Sequence, residues 1–189
     1  MFQRRQDGSV NFQRDLEEYV RGFGDQAGEH WLGLEKIHRL TKWVDFEPEL
    51  RVDLMDFNNE TRFEHYNKFY VNGPESYSLS VLDASGSAGD SLVNNSGQEF
   101  STAENGVDGS GEVLIASSGA CATMQGAWWF YDCQPSHLNG IYYNDYHDAY
   151  PDSDNGIVWD TWRGGFYSLQ RTEMKTRPSR LTWEVKTNE

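Results

Sequence analysis

Cys121 and Cys133 are the only two cysteines of the chain, and they bracket a short segment, CATMQGAWWFYDC, that carries two adjacent tryptophans. A pair so placed suits a covalent staple, a metal clip, a redox couple or the wall of a binding pocket. Eleven residues separate them, too many for a C-x-x-C redox motif, and no second cysteine pair or histidine cluster completes a zinc site. Just downstream runs YYNDYHDAYPDSDNG, residues 142–156. Tyr142, Tyr143, Tyr146 and Tyr150 offer apolar ring faces with hydroxyl tips, and Asp145, Asp148, Asp152 and Asp154 accept hydrogen bonds from hydroxyls or amines. That mixture suits a sugar or another polar ligand. Of the five histidines, only His147 sits within it, while His137 in SHLNG reads as a structural turn residue. Catalysis has no comparable support: no Ser, His and Asp arrangement stands out, and GSGE at 109–112 lacks the strand and helix that a nucleophile elbow needs.

A charge of -14, from 30 acidic and 16 basic residues, repels phosphate backbones and anionic lipid. Nucleic acid is therefore excluded as a natural partner. No apolar run approaches the ~20 residues of a membrane-spanning helix, and Met1 is followed by polar FQRRQDGS, not by an apolar signal segment. The 189 residues suffice for one domain with a substantial core, and aromatic anchors separated by Gly, Ser, Asn and Asp indicate a loop-rich globule.

The elements that must position these residues lie at the two ends of the sequence. Leu16, Tyr19, Val20 and Phe23 have helical spacing in RDLEEYVRGFG (14–24), with Gly24 as a stop. A second helix is predicted over 28–42 from Trp31, Leu32, Leu34 and Ile37. Strand-like text follows at 49–57, where Leu50, Val52, Leu54 and either Met55 or Phe57 alternate with Arg51, Asp53 and Asp56, and again at 61–71 and 77–82, suggesting an antiparallel meander. From 83 the text turns to Gly, Ser, Asn and Asp, a long loop of the kind that is functional or organised by an ion or a disulfide. Alternation returns at 165–178 around Tyr167, Leu169 and Met174. Neighbours on an extended chain face opposite ways, so one of Trp128 and Trp129 is expected inside and the other at a pocket rim. By the same argument one of Tyr142 and Tyr143 belongs to the core. Trp159 and Trp162 are expected in the core.

Taken in order, QRRQDGSVNFQRDLEEYVRGFG, GEHWLGLEKIHRLT, LRVDLMDF, GAWWFYDC, SHLNGIYY, DNGIVWDTWRGGFYSL and TEMKTRP resemble the fibrinogen C-terminal domain, the module of fibrinogen chains, ficolins, tachylectins, angiopoietins and tenascins. The resemblance spans nearly the whole chain. It implies a secreted, non-enzymatic α+β domain over 1–189, with an antiparallel central sheet and short helices (1–82), a loop-rich binding and calcium subdomain (83–164) and a returning strand and tail (165–189). It also implies a further strand and cysteine pair ahead of QRR, which this sequence does not carry.

Site residues follow from the same resemblance. It implies that Cys121 and Cys133 form a disulfide, which for a ring this small removes chain entropy equivalent to roughly 3 kcal/mol and persists in an oxidising compartment. Calcium is implied just before the disulfide, in FSTAENGVDGSGEVLIASSGAC, where Gly106 stands at one family aspartate position and Asp108 at the other, with Glu104 and Glu112 as further oxygen donors. The ligand pocket maps onto Gln125, Trp129, Gln134, His147, Tyr150 and Asp154, with Gln134 where many members carry histidine. The expected ligands are glycans or acetylated groups, with a protein receptor or peptide amino terminus as the alternative. Clustering of several domains would supply avidity. Two sequons, at Asn59 and Asn94, permit glycosylation in a secreted protein.

Overall fold

The computed structural model describes residues 1–42, 47–104, 121–122, 126–131, 133, 136–144 and 155–179. A seven-stranded antiparallel sheet organises them, in the order β2-β3-β1-β9-β4-β5-β6. The strands are β1 (Gln3–Arg5), β2 (Phe23–Gly24), β3 (His30–Trp31), β4 (Pro48–Met55), β5 (Thr61–Val71), β6 (Leu79–Gly86) and β9 (Arg171–Pro178). A separate pair, β7 (Ser136–His137) and β8 (Val158–Trp159), belongs to the C-terminal subdomain, and α3 (Asp160–Arg163) follows it directly. The last described strand, β9, lies between the first, β1, and β4. The first and last described strands are thereby neighbours at the centre of one sheet.

Helix α1 (Leu16–Arg21) is shorter than its apolar spacing suggests. The Asp15 carboxylate accepts the Glu18 amide at 2.8 Å as its N-cap, and Gly22, at φ 93, ends it a turn early so that Phe23 can enter β2. The second predicted helix needs a larger correction: His30 and Trp31 form β3, and α2 runs only from Leu34 to Thr41. Gly33 makes the break at φ 109, where a Cβ would come within 2.7 Å of the Arg21 backbone. Trp31, Leu34 and Ile37 still meet in the core, which is why their spacing mimics one helix.

The meander appears where alternation places it. Leu50, Val52 and Leu54 of β4 are buried while Arg51 is exposed, and Leu50 pairs with Tyr66 of β5. Met55 shares the outer face with Arg51 and Asp53. Asp56, expected outside, is fully buried because its carboxylate accepts the amides of Asn58 and Glu60, each at 2.9 Å, and closes the β4–β5 turn. β6 runs on to Gly86, beyond the predicted end at 82. Its residues 82–86 are exposed, so no apolar alternation marks them.

Beneath the sheet an aromatic cluster joins the two halves of the molecule. Trp31 touches Phe2, Tyr19, Phe100 and Trp129, with ring centroids between 5.5 and 6.0 Å apart. Aromatic pairs of this kind contribute about 1 kcal/mol each beyond their burial.

Candidate functional site

The Cys121–Cys133 disulfide is formed, and the segment inside it is anchored on both faces. Trp128 and Ser101 exchange backbone hydrogen bonds at 3.1 and 2.9 Å, an isolated bridge that ties the loop to the segment after Phe100. The Trp129 indole donates to the Tyr77 carbonyl at 2.7 Å. Asn95 then joins three pieces at once: its amide donates to the Trp129 carbonyl at 2.7 Å and its oxygen accepts the Ser136 hydroxyl at 3.1 Å. Both tryptophans are 0% exposed. The prediction that one of them forms a pocket rim is therefore overturned: Trp129 has no surface to offer a ligand. The 128–131 segment is not a regular strand, so alternation does not govern it, and the core claims both rings.

The wall that follows, Ser136 to Asn144, is held from below by β1. Gln3 donates to the Leu138 carbonyl at 2.8 Å and to the Asn139 side chain at 3.3 Å. Arg5, 1% exposed, donates to the Gly140 carbonyl at 2.6 Å, stacks 3.9 Å from the Phe12 ring and lies 3.6 Å from the buried Glu29 carboxylate. Glu29 in turn accepts the backbone amides of Gln6, Asp7, Gly8 and Val10. Burial lowers the Arg5 pKa and Glu29 opposes that shift. The result is a desolvated charge pair whose hydrogen bonds go to loop backbone. No periodic pattern in the sequence points to Gln3, Arg5, Glu29 or Asn95, because each acts as a single buried polar contact to another element.

His137 occupies the centre of this wall as a core residue, 1% exposed against Phe130 and Trp128. Among the described residues its ring nitrogens make no well-formed hydrogen bond, and a weak contact with the Ala127 backbone only partly opposes the effect of burial. Burial, aided by the nearby Arg5 charge, pushes its pKa down to about 3. The imidazole is a neutral packing group at ordinary pH.

Beyond the Leu138–Gly140 turn the tyrosines surface. Tyr142 and Tyr143 are both half-buried and lie outside any strand, so neither is the fully core member that alternation predicts. Tyr142 donates to the Gln6 carbonyl at 2.8 Å, and Tyr143 donates to the Asn155 side chain at 2.6 Å. The Ile141 amide donates to the Asn155 carbonyl at 2.8 Å, and Gly140 packs so closely on Gly156 that a Cβ would come within 1.9 Å of its carbonyl oxygen. The two ends of the tyrosine-rich loop are thus clamped together. Trp159 is core as expected, whereas Trp162 is partly exposed.

Gln125, Gln134, His147, Tyr150 and Asp154 lie outside the described residues, as do Asp108 and Glu112. Of the calcium set only Glu104 is described: it is exposed in a turn, and among the described residues no three potential ligands cluster. A shallow cleft of about 330 Å³ elsewhere, on the outer face of the sheet, is lined by Arg51, Asp53, Arg62, Phe63, Arg171 and Lys175. Its cations are all ion-paired, Arg51 and Lys175 with Asp53, Arg62 with Glu60 and Arg171 with Glu173, so none stands without a carboxylate neighbour. Among the described residues no helix is long and apolar enough to cross a membrane.

Residues 1–179 match the model of the C-terminal globular domain of fibrinogen beta and gamma chains. The protein belongs to that family. Fibrinogen C domain-containing protein 1 of Mus musculus is 46% identical over 186 residues, 95% of this chain and 38% of the relative's length. Ryncolin-4 of Cerberus rynchops is 42% identical over 184 residues, covering 95% of this chain and 50% of that protein. The chain therefore spans half or less of the length of these relatives. Among solved structures, the fibrinogen-like globe of human ANGPTL6 superposes with a TM-score of 0.85 at 38% identity, covering 95% of this chain and 78% of the other. The lamprey fibrin D-dimer, solved with the peptide Gly-His-Arg-Pro-amide, gives 0.80 at 33% identity, covering 100% and 66%. The fold is the fibrinogen-like globe, an antiparallel sheet with few short helices.

Proposed function

We propose that this protein is a secreted recognition domain whose C-terminal subdomain binds acetylated or other polar groups on glycans. The observation that carries this reading is the wall from Cys133 to Tyr143. It is fixed to the sheet by Gln3 and Arg5, stapled by the disulfide, and ends in two half-exposed tyrosines, of which Tyr143 is clamped to Asn155 at the mouth of the aspartate-rich loop. Rigid aromatic faces followed in the sequence by Asp145, Asp148, Asp152 and Asp154 suit sugar rings and their hydroxyls. Affinity at one such site is weak, so the working form is a cluster of domains. Calcium belongs to the same reading: Glu104, Asp108 and Glu112, which precede the disulfide in the sequence, are the residues that would hold it. The test is retention on N-acetylglucosamine or chitin resin with and without calcium. Elution by free acetylated sugar supports the proposal, and retention that such sugar leaves unchanged overturns the acetyl reading.

A second reading has its own support. The lamprey relative was solved with a peptide whose amino terminus is glycine, and in the sequence Asp154 falls at the position where the fibrinogen resemblance implies a carboxylate for such an amine. In that case a basic-ended peptide or a protein receptor, and not a glycan, would compete for the site.

A further inference from the structure

We infer that Asn59 is an N-glycosylation site, set at the tip of the β4–β5 hairpin and built so that the attached glycan leaves the fold untouched. The inference rests on the secreted reading above, since the donor is found only on the secretory route. Asn59 is exposed and adopts φ 63, the left-handed conformation that asparagine tolerates. The turn is held by others. The buried Asp56 carboxylate accepts Asn58 and Glu60 amides, and Arg163 closes it from outside through Asp56 and, at 2.7 Å, Glu60. The Asn59 backbone amide reaches the Asp56 carbonyl at 3.1 Å, while its side-chain amide makes no hydrogen bond among the described residues. Thr61, which completes the sequon, is exposed at the first position of β5.

The other sequon contrasts at each point. Asn94 is exposed, but its neighbour Asn95 is buried and bridges Trp129 to Ser136, and the Ser96 hydroxyl is engaged by the Val81 amide and carbonyl. A glycan there would pull on bonds that hold the binding wall. At Asn59 it would project from the Met55–Arg171 end of the sheet, away from the Pro48–Pro178 end.

In the transfer, the Asn59 amide nitrogen attacks the anomeric carbon of a lipid-pyrophosphate-linked oligosaccharide. One N–C bond forms, the C–O bond to the pyrophosphate breaks, one amide proton is lost, and no atom is oxidised or reduced. The protein led by a signal sequence is secreted from a eukaryotic host, and its intact mass is read before and after peptide N-glycosidase. The expected result is an enzyme-sensitive glycan mass that disappears in both Asn59→Gln and Thr61→Ala. The second variant keeps asparagine at the left-handed position, so its loss of glycan cannot be ascribed to a strained turn. A secreted wild type without a glycosidase-sensitive mass, or a glycan that survives Thr61→Ala, overturns the inference. Either failure leaves sugar-resin retention, and with it the proposed function, unaffected.

Discussion

Arg5 donates to the carbonyl of Gly140 at 2.6 Å, a hydrogen bond between residues 135 apart that fixes the Ser136–Asn144 wall to the first strand of the sheet. Removing the guanidinium strands the Glu29 carboxylate in the core, and losing one member of a buried pair costs about 3 kcal/mol or more. Arg5→Met is therefore expected to lower denaturant stability by that order. Amide exchange should quicken at Leu138–Tyr143 beyond what the global loss explains. Uniformly faster exchange would show that Arg5 supports the fold without positioning the wall.

His137 makes the wall sensitive to acid. Its folded pKa, about 3, lies below the unfolded value near 6.5, so the unfolded state binds the extra proton. The stability that follows is complete above 6.5 and is lost as pH falls toward 3. At pH 5 the loss amounts to about 2 kcal/mol, at 1.36 kcal/mol per pH unit. His137→Phe should flatten the slope of unfolding free energy against pH between 6.5 and 4. An unchanged slope would assign the acid sensitivity to other groups.

The disulfide closes a small ring, so its removal should cost roughly 3 kcal/mol on the chain-entropy model. Cys121→Ser with Cys133→Ser is expected to lower the midpoint of chemical unfolding accordingly. The circular-dichroism signature of the seven-stranded sheet should persist below that midpoint. Loss of the sheet signal without denaturant would mean that the ring supports the central fold as well as the site.

Trp129 is a core residue, and its substitution should read out as stability alone. Trp129→Phe deletes the bond to Tyr77 and leaves a buried carbonyl with one partner fewer, a cost of about 1–3 kcal/mol. Sugar-resin retention at low temperature should be unchanged. Selective loss of retention in a folded variant would return the ring to the pocket.

Much of this architecture is legible in the residues. Alternation locates β4 and β5 because one face of each is buried, and the ordered motifs carry the family. The failures have physical causes. Trp31 is read into a helix because β3, Gly33 and α2 happen to deliver Trp31, Leu34 and Ile37 to one core at helical spacing. Trp129 is read as a rim residue because alternation is applied to a segment governed by the disulfide and by Asn95. The frame of Gln3, Arg5 and Glu29 leaves no trace in any local window, since its partners lie on other elements. Tyr143 and Asn155 would mark the edge of the proposed site, whose other candidate residues, Gln125, Gln134, His147, Tyr150 and Asp154, lie outside the described residues.

The central claim is that the wall between the disulfide and Asn155 meets an acetylated ligand. Titration of the isotope-labelled protein with N-acetylglucosamine, followed by amide chemical shifts, tests it directly. The account predicts saturable shifts concentrated at Cys133, Ile141–Asn144 and Asn155–Gly156. No shifts at saturating sugar, or shifts confined to the outer face of β4, β5 and β9, would contradict it.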